Sequence, residues 1–241
     1  MHQLRIPVRI RLTPDVAILS ATESVWDVLS PGGIRWETGW QGLVNGLISS
    51  EAELARVRSL REEAYVANGV PSAKDLIGDD FDRDPNTKIF VLQDSARALG
   101  TVRVSTCPPR TSSFLSQCFN EFPAYVKRDN YLEVTHFAIR PSAASGDPRF
   151  VLSLIQNVTA EADRHGARYI VAPISTKHWS FYGSIGFKQI SRERWMSRWS
   201  YPVILGCLDW PAERNRLRRD PSFHHVFTAR NPVGESPSSA R

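Results

Sequence analysis

The sequence predicts an α/β (α+β) protein in which helices flank a mixed sheet, and three features predict it. Of the 241 residues 41% are hydrophobic and 23% charged, which is enough apolar side chain for a sizeable core and too much for a disordered chain. Residues 88–93 (KIFVLQ) and 99–106 (LGTVRVST) are apolar or alternating runs joined by a polar turn, the pattern of an antiparallel hairpin. Further on, 131–140 (YLEVTHFAIR), a turn-rich loop, an apolar helical stripe and 169–174 (YIVAPI) give a strand, loop, helix, strand succession.

Residues 1–50 read as an irregular segment with room for one strand. Their short apolar runs, 8–12 and 16–19, are broken by Pro7, Pro14, Pro31 and the Gly32-Gly33 pair. After the N-cap candidates Ser49-Ser50, Leu54, Val57, Leu60 and Ala64 recur at helical spacing until Gly69 and Pro71 stop the helix. In the hairpin, Val102 and Val104 share one face and Thr101, Arg103 and Ser105 the other. Residues 107–130, rich in proline and aromatics, read as a loop with a short covering helix. On the strand 131–140, period-two alternation groups Tyr131, Glu133, Thr135, Phe137 and Ile139, with His136 and Arg140 on the opposite face. Val151, Leu154, Ile155, Val158 and Ala162 form the stripe of the next helix, which ends at His165-Gly166. A short helix with a glycine end over 179–187 (WSFYGSIGF) precedes a strand near 187–190 and another at 201–208 (YPVILGCL). From Asp209 the chain turns basic, and 231–241 (NPVGESPSSAR) has the composition of a frayed tail. The organisation expected is therefore an N-terminal segment 1–50, a domain 51–209 and a basic segment 210–241.

Charge names no function. The formal net charge is +5, with 30 Lys and Arg against 25 Asp and Glu. All but five of the cations are Arg, a bias that coding composition accounts for. Cys107, Cys118 and Cys207 are odd in number and lack CxxC spacing, which argues against disulfides and zinc and for a reducing, cytoplasmic setting. The N-terminus lacks the apolar core of a signal peptide, and no run approaches the roughly 18 apolar residues that span a bilayer. GxxxxGK[ST], GxGxxG and GxSxG are absent; Ser184 in GSIG is not a nucleophile elbow. His178 and His224-His225 lack partners at metal-ligand spacing, so no metal is expected. Nucleic acid is not an expected partner, since aromatics do not interleave with the basic residues.

Glu133 stands out because it lies in an otherwise apolar strand. A carboxyl there either pairs with a cation, Arg103 or Arg140, or titrates near neutrality, and both readings stay open. The loop 141–148 leading into a helix that begins at Arg149 and Phe150 is either an ordinary connection or a receiver of an anionic group at free backbone N–H groups. Tyr182 is either an aromatic packing residue or, over a cleft, a proton donor.

Taken together, REEAYV (61–66), LGTVRV (99–104), LEVTHFAIRP (132–141), YIVAPIS (169–175) and WSFYGSIGF (179–187) resemble the GNAT acyltransferase superfamily over residues 51–208. FYGSIGF is the most specific piece, matching the pattern FYxxxGF. Where the superfamily usually has Arg or Gln followed by GxG, this chain has SAASGDPRF. Within the superfamily it looks most like the acyl-homoserine-lactone synthases and the long-chain N-acyl amino acid synthases: GDDFD (78–82) resembles their acidic segment, and Arg103 and Glu133 match their strand motifs. His136 stands where the lactone synthases carry Arg, which directs the expectation to the N-acyl amino acid branch.

The resemblance implies a GNAT-like, mostly antiparallel sheet and transfer of a fatty acyl group from a phosphopantetheine thioester to the amine of an amino acid. Acyl carrier protein, or CoA, is the implied donor, with no permanently bound cofactor. In this reading Glu133 is the general base and Tyr182 the acid for the leaving thiolate. Arg103 holds the acceptor's carboxylate bidentately, and Thr135 and Phe137 also contact the acceptor. Ala138, Ile139, Arg140, Gly146, Asp147, Arg149 and Phe150 receive the phosphopantetheine arm, and the tract 114–125 covers the acyl chain. Arg214, Arg216, Arg218 and Arg219 form the expected docking patch for an acidic carrier protein. The competing expectations are a conventional acetyl-CoA-dependent N-acetyltransferase, an acyl-homoserine-lactone synthase, and a non-catalytic binding module of the same fold.

Overall fold

The computed structural model describes residues 44–70, 77–94, 97–144, 149–196, 201–220 and 223. Its strands are β1 (Val44–Leu47), β2 (Thr87–Gln93), β3 (Ala98–Cys107), β4 (Tyr131–Ile139), β5 (Tyr169–Ser175), β6 (Lys188–Gln189), β7 (Arg194–Met196) and β8 (Tyr201–Asp209). They form one sheet in the order β1-β2-β3-β4-β5-β8-β6, with β7 also on β8. Every pairing is antiparallel except β4 with β5. Parallel neighbours need a long crossover, and the helices over 141–164 supply it. The predicted mixed, mostly antiparallel sheet is thus present.

Helix α1 (Glu51–Ala67) begins where its sequence predicts. Ser50 is the N-cap, and its side chain and that of Glu53 close a reciprocal capping box. Leu54, Val57, Leu60 and Ala64 are buried, and Gly69, at φ 71°, ends the helix in the left-handed conformation that glycine adopts without strain. The hairpin of β2 and β3 pairs Phe90 with Val102 and Ile89 with Arg103. Short helices α2 (Phe114–Cys118) and α3 (Pro141–Ala144) flank β4 in sequence, and the crossover proper is α4 (Arg149–Arg164).

Two apolar layers sandwich the sheet. On one face Leu154, Val158 and Ala162 of α4 pack with Phe90, Val102, Val104 and Leu132. On the other, Leu115, Phe119, Phe122 and Val126 from the loop around α2 cover Tyr131, Val171, Val203 and Leu205. The tract 114–125 therefore backs the sheet on the face away from α4. After β5 comes α5 (Trp179–Ser184), the predicted short helix, with Gly186 at φ 102° turning the chain toward β6.

Residues 1–50 left room for one strand, and β1 is such a strand, at the sheet edge on β2; the runs 8–12 and 16–19 lie outside the described residues, as does the tail 231–241. The sequence reading differs from the structure in two places. The basic segment starts as an ordered helix, α6 (Trp210–Arg219), capped by the Asp209 side chain and anchored by buried Trp210 and Leu217. Three of the four arginines expected as a docking patch hold ion pairs within the fold: Arg214 and Arg218 pair with Asp163 of α4 at 3.2 and 3.0 Å, and Arg216 pairs with Glu213, while Arg219 is exposed. The charge of the segment masked its two apolar anchors, which lie seven residues apart and so on one helix face.

The second difference is a β-bulge. Two residues of β4, His136 and Phe137, stand opposite the single Val102 of β3, and His136 takes a left-handed φ of 49°. The extra residue breaks the period-two count. Phe137 therefore leaves the Glu133–Thr135 face, and His136 joins it.

Candidate active site

Glu133 lies at the last residue pair that joins β4 to β5. Parallel pairing runs from Tyr131↔Tyr169 to Glu133↔Val171 and stops, so the two strands separate from Val134 onward. The Glu133 carboxylate is 1% exposed and faces α2. It accepts hydrogen bonds from the Leu115 N–H, 3.1 Å from each oxygen, and a short one from the Ser113 hydroxyl; the Tyr131 hydroxyl in turn donates to Ser113 Oγ at 2.9 Å. Burial pushes the Glu133 pKa up to about 7, against the opposing pull of the Ser113 and Leu115 hydrogen bonds and of the Arg103 charge. Of the two sequence readings, the structure gives titration near neutrality. Neither candidate cation pairs with Glu133: Arg140 reaches Glu63 and the Ala98 carbonyl, and Arg103 is engaged elsewhere.

Arg103 is the hub of a buried ionic cluster on the same face. It donates to Thr135 Oγ1 at 2.8 Å, to Asp79, and to Asp82 at 3.2 Å, and its guanidinium carbon lies 6.0 and 5.3 Å from the rings of Phe81 and Phe114. Arg61, wholly buried in α1, donates to both Asp82 oxygens at 3.0 and 2.9 Å and to the Ile77 carbonyl. With two carboxylates and Thr135 as partners, Arg103 is a buried strut and not an open clamp for an acceptor's carboxylate, which corrects the role expected of it. Burial, then the charges of Arg61 and Arg103, push His136 down to about 3, so its ring is neutral. Tyr65, itself pushed up to about 12 by burial, shares a hydrogen bond with His136 Nδ1 at 3.1 Å, and Nε2 lies 3.7 Å from Asp79.

Sequence reasoning missed Arg61, Tyr65 and Ser113. A signal existed for the first: Arg61 falls on the stripe of Leu54, Val57 and Ala64, and a charge on an apolar helix face needs a buried partner. Ser113 carried none, because the side-chain contact that matters crosses twenty residues.

On the opposite face the separation of β4 and β5 opens a narrow apolar cleft of about 50 Å³. Val134 and Phe137 form its β4 wall, with Ile155, Val158 and Thr159 of α4 facing them. Ile170 and Ala172 of β5 and Leu208 of β8 form the base, and Tyr182, Ile185 and Phe187 continue the lining. No charged residue lines it. Thr159 turns its hydroxyl back to the Gln156 carbonyl at 3.1 Å, leaving its methyl for the cleft. The bulge sends Phe137 into this cleft, away from Arg103 and Thr135. Tyr182 stacks edge-on between Phe181 and Phe187, at 5.4 and 5.3 Å, so it packs and lines the cleft at once.

The residues expected to receive a phosphopantetheine arm fare unequally. Ala138 and Ile139 are buried where β4 has left β5. The Arg140 N–H is taken by the Leu99 carbonyl at 2.8 Å, which corrects its assignment as a free donor. Alternation along the strand then turns the Ile139 N–H toward the gap. Gly146 and Asp147 lie outside the described residues; Arg149 opens α4, and Phe150 packs against the core. Among the described residues no group of three or more His, Cys, Asp or Glu is placed to hold a metal ion, and no helix is long and apolar enough to cross a membrane.

A mixed sheet whose one parallel strand pair parts beside the crossover helix is the fold of the GNAT superfamily, and the family match makes this chain one of its acyltransferases. The chain belongs to the FeeM family of N-acyl amino acid synthases, whose family model matches residues 56–209. Solved structures share the fold. FeeM, an N-acyl amino acid synthase from uncultured soil microbes, is 22% identical over 72% of this chain and 94% of its own, with a TM-score of 0.62. BjaI, a CoA-dependent acyl-homoserine lactone synthase solved with SAM and isopentyl-CoA, is 15% identical over 77% of this chain and 99% of its own, TM-score 0.53. The AHL synthase LasI is 12% identical over 68% and 89%, TM-score 0.50. A comparison with curated proteins found no match.

Proposed function

We propose that this enzyme transfers a long-chain acyl group from the phosphopantetheine thioester of an acyl carrier protein to the α-amine of an amino acid, giving an N-acyl amino acid. The observation that carries the reading is the juxtaposition at the strand gap: an uncharged cleft suited to an acyl chain on one face, and a carboxyl poised near neutrality on the other. An amino acid is an ammonium at neutral pH and attacks only after losing a proton. Glu133 takes that proton, directly or through water, as Ser113 and Leu115 hold its carboxylate in place. The amine nitrogen bonds to the thioester carbonyl carbon, the C–S bond breaks, and the thiolate leaves with a proton from Tyr182, which lines the cleft; the second proton shed by the nitrogen as the amide forms returns to Tyr182, so the net proton released is the one Glu133 took. The Ile139 N–H holds the pantetheine arm in the gap. A carrier protein is favoured over CoA because SAASGDPRF replaces the glycine-rich donor loop of acetyl-CoA enzymes.

The test is mass spectrometry of products from purified enzyme, a mixture of the standard amino acids and long-chain thioesters of either carrier protein or CoA. An N-acyl amino acid from the carrier-protein donor is the expected result, and Glu133→Gln lowers kcat by about a hundredfold or more with little change in the donor KM. No amide from either donor, with the protein shown folded by circular dichroism, overturns the reading; product from CoA alone overturns the choice of donor.

A further inference from the structure

One wall of the cleft comes from outside the residues that the family model matches. Those residues end at Asp209, and α6 begins at Trp210, yet Leu217 of α6 is among the residues that line the cleft, as are Val158, Thr159, Ile185 and Leu208. Its side chain is fully buried. The helix is fixed from two sides. Toward α4, Trp210 Nε1 donates to Asp163 at 2.8 Å, and Arg214 and Arg218 pair with the same carboxylate. Toward α5, Arg216 donates to the Ser184 carbonyl at 3.2 Å, and Glu213 sits so close to Gly186 that a Cβ there would lie 2.6 Å from its carboxyl carbon. The helix thus bridges α4 and α5, and Leu217 fills the seam between them.

The position of that seam along the cleft follows from strand direction. Phe137 and Ile155 belong to the end where β4 has left β5. Ile170 pairs with Leu208 near the start of β5, close to where β4 and β5 are still joined; Arg214 and Arg218, on either side of Leu217 in α6, reach Asp163, one turn beyond Thr159 at the end of α4 that leads into β5, which puts Leu217 toward that end of the cleft. A chain that enters from the thioester end past Phe137 meets Leu217 last.

We propose that Leu217 is a specificity-determining residue that sets the longest acyl chain the enzyme accepts, with α6 acting as the stop of the cleft. The inference rests on the proposed acyl transfer, because it needs an acyl chain in the cleft. Its chemistry is plain: a saturated chain shorter than the stop gains by burying each methylene, and a longer one must displace a buried Leu from a close-packed seam. Leu217→Ala removes the side-chain carbons beyond Cβ and leaves space that two or three further methylenes fill.

The experiment is a chain-length profile of kcat/KM from hexanoyl to octadecanoyl thioesters for wild type, Leu217→Ala, Leu217→Phe and Leu205→Ala. Leu205→Ala is the control, a fully buried leucine of the opposite apolar layer. In Leu217→Ala the optimum moves to longer chains, and the ratio of the longer to the wild-type optimal donor rises about fourfold per added methylene, about fifteenfold for two. In Leu217→Phe the optimum moves to shorter chains. If wild type makes product and neither Leu217 variant shifts its profile, or if Leu205→Ala shifts it equally, the inference is overturned and the acyl transfer stands. If wild type makes no product from any donor length, the functional reading fails first. Should Leu217→Ala fail to fold, Leu217→Phe and Leu217→Met carry the test, since neither opens a cavity.

Discussion

A carboxyl buried at 1% exposure and pushed up to about 7 makes a claim about stability as well as chemistry, and Glu133→Gln tests both with one substitution. An unfolded chain ionises Glu133 near its ordinary 4.5, whereas the folded chain holds the proton until about pH 7. Between those values the folded state binds more protons than the unfolded one, so stability falls as pH rises and levels off above pH 7. The interval, at about 1.4 kcal/mol per pKa unit, is worth about 3 kcal/mol for this one group. Gln keeps a carbonyl oxygen to accept from Ser113 and Leu115 and has no charge to bury. Urea unfolding of both proteins from pH 4 to 9 is the assay. The difference between them should swing by about 3 kcal/mol across that range, in the direction that favours the variant at high pH. The constant offset between the proteins carries no weight; the slope does. Parallel stability profiles would refute the raised pKa, and with it the reason for a base in this place that can both take and release a proton near neutrality.

Two further outcomes follow from the packing. Arg103→Met leaves Asp79 without its cation and Asp82 with Arg61 and Arg58 only, and a broken buried pair of this kind costs about 3–5 kcal/mol; urea unfolding at pH 7 measures it, and a loss under about 1 kcal/mol would show that the cluster is solvated. Gly186→Ala puts a side chain at φ 102° and against the Glu213 carboxyl, so a loss of about 1–3 kcal/mol is expected in thermal or urea unfolding, and an unchanged midpoint would mean that the turn into β6 is not as drawn.

The legible parts of the sequence were those where periodicity and burial coincide. The stripe from Leu54 to Ala64, the hairpin and the helix from Val151 to Ala162 each present one apolar face, and each formed within a few residues of its expected bounds. Glu133 was legible for the same reason, as a charge inside an apolar strand. Three things were not. The β4 bulge depends on how one strand meets its neighbour, so the count of two gave Phe137 to the wrong face. The fate of Arg103 depends on Asp79 and Asp82, more than twenty residues away, and on Arg61 farther still. The C-terminal helix was hidden because its ends, Trp210 and Leu217, are few among arginines that looked like a solvated surface but pair with Asp163 and Glu213.

The bulge is also what lets one strand serve two environments. Without it, β4 would alternate strictly, Phe137 would stand beside Arg103, and the β4 wall of the cleft would end at Val134. With it, Val134 and Phe137 both face the apolar cleft while Glu133, Thr135 and His136 stay with the ionic cluster and α2. The left-handed φ at His136 costs on the order of 1 kcal/mol for a non-glycine residue, and the Tyr65 hydrogen bond and packing over Asp79 hold the ring in place against that cost. The two faces then meet only at the gap where β4 leaves β5, one residue beyond Glu133. In the proposed reaction a thioester carbonyl at that gap would have its acyl chain running one way along the cleft and the attacking amine arriving from the other face. On that reading the strand separation keeps a charged acceptor and an apolar donor apart everywhere except at the atom they share.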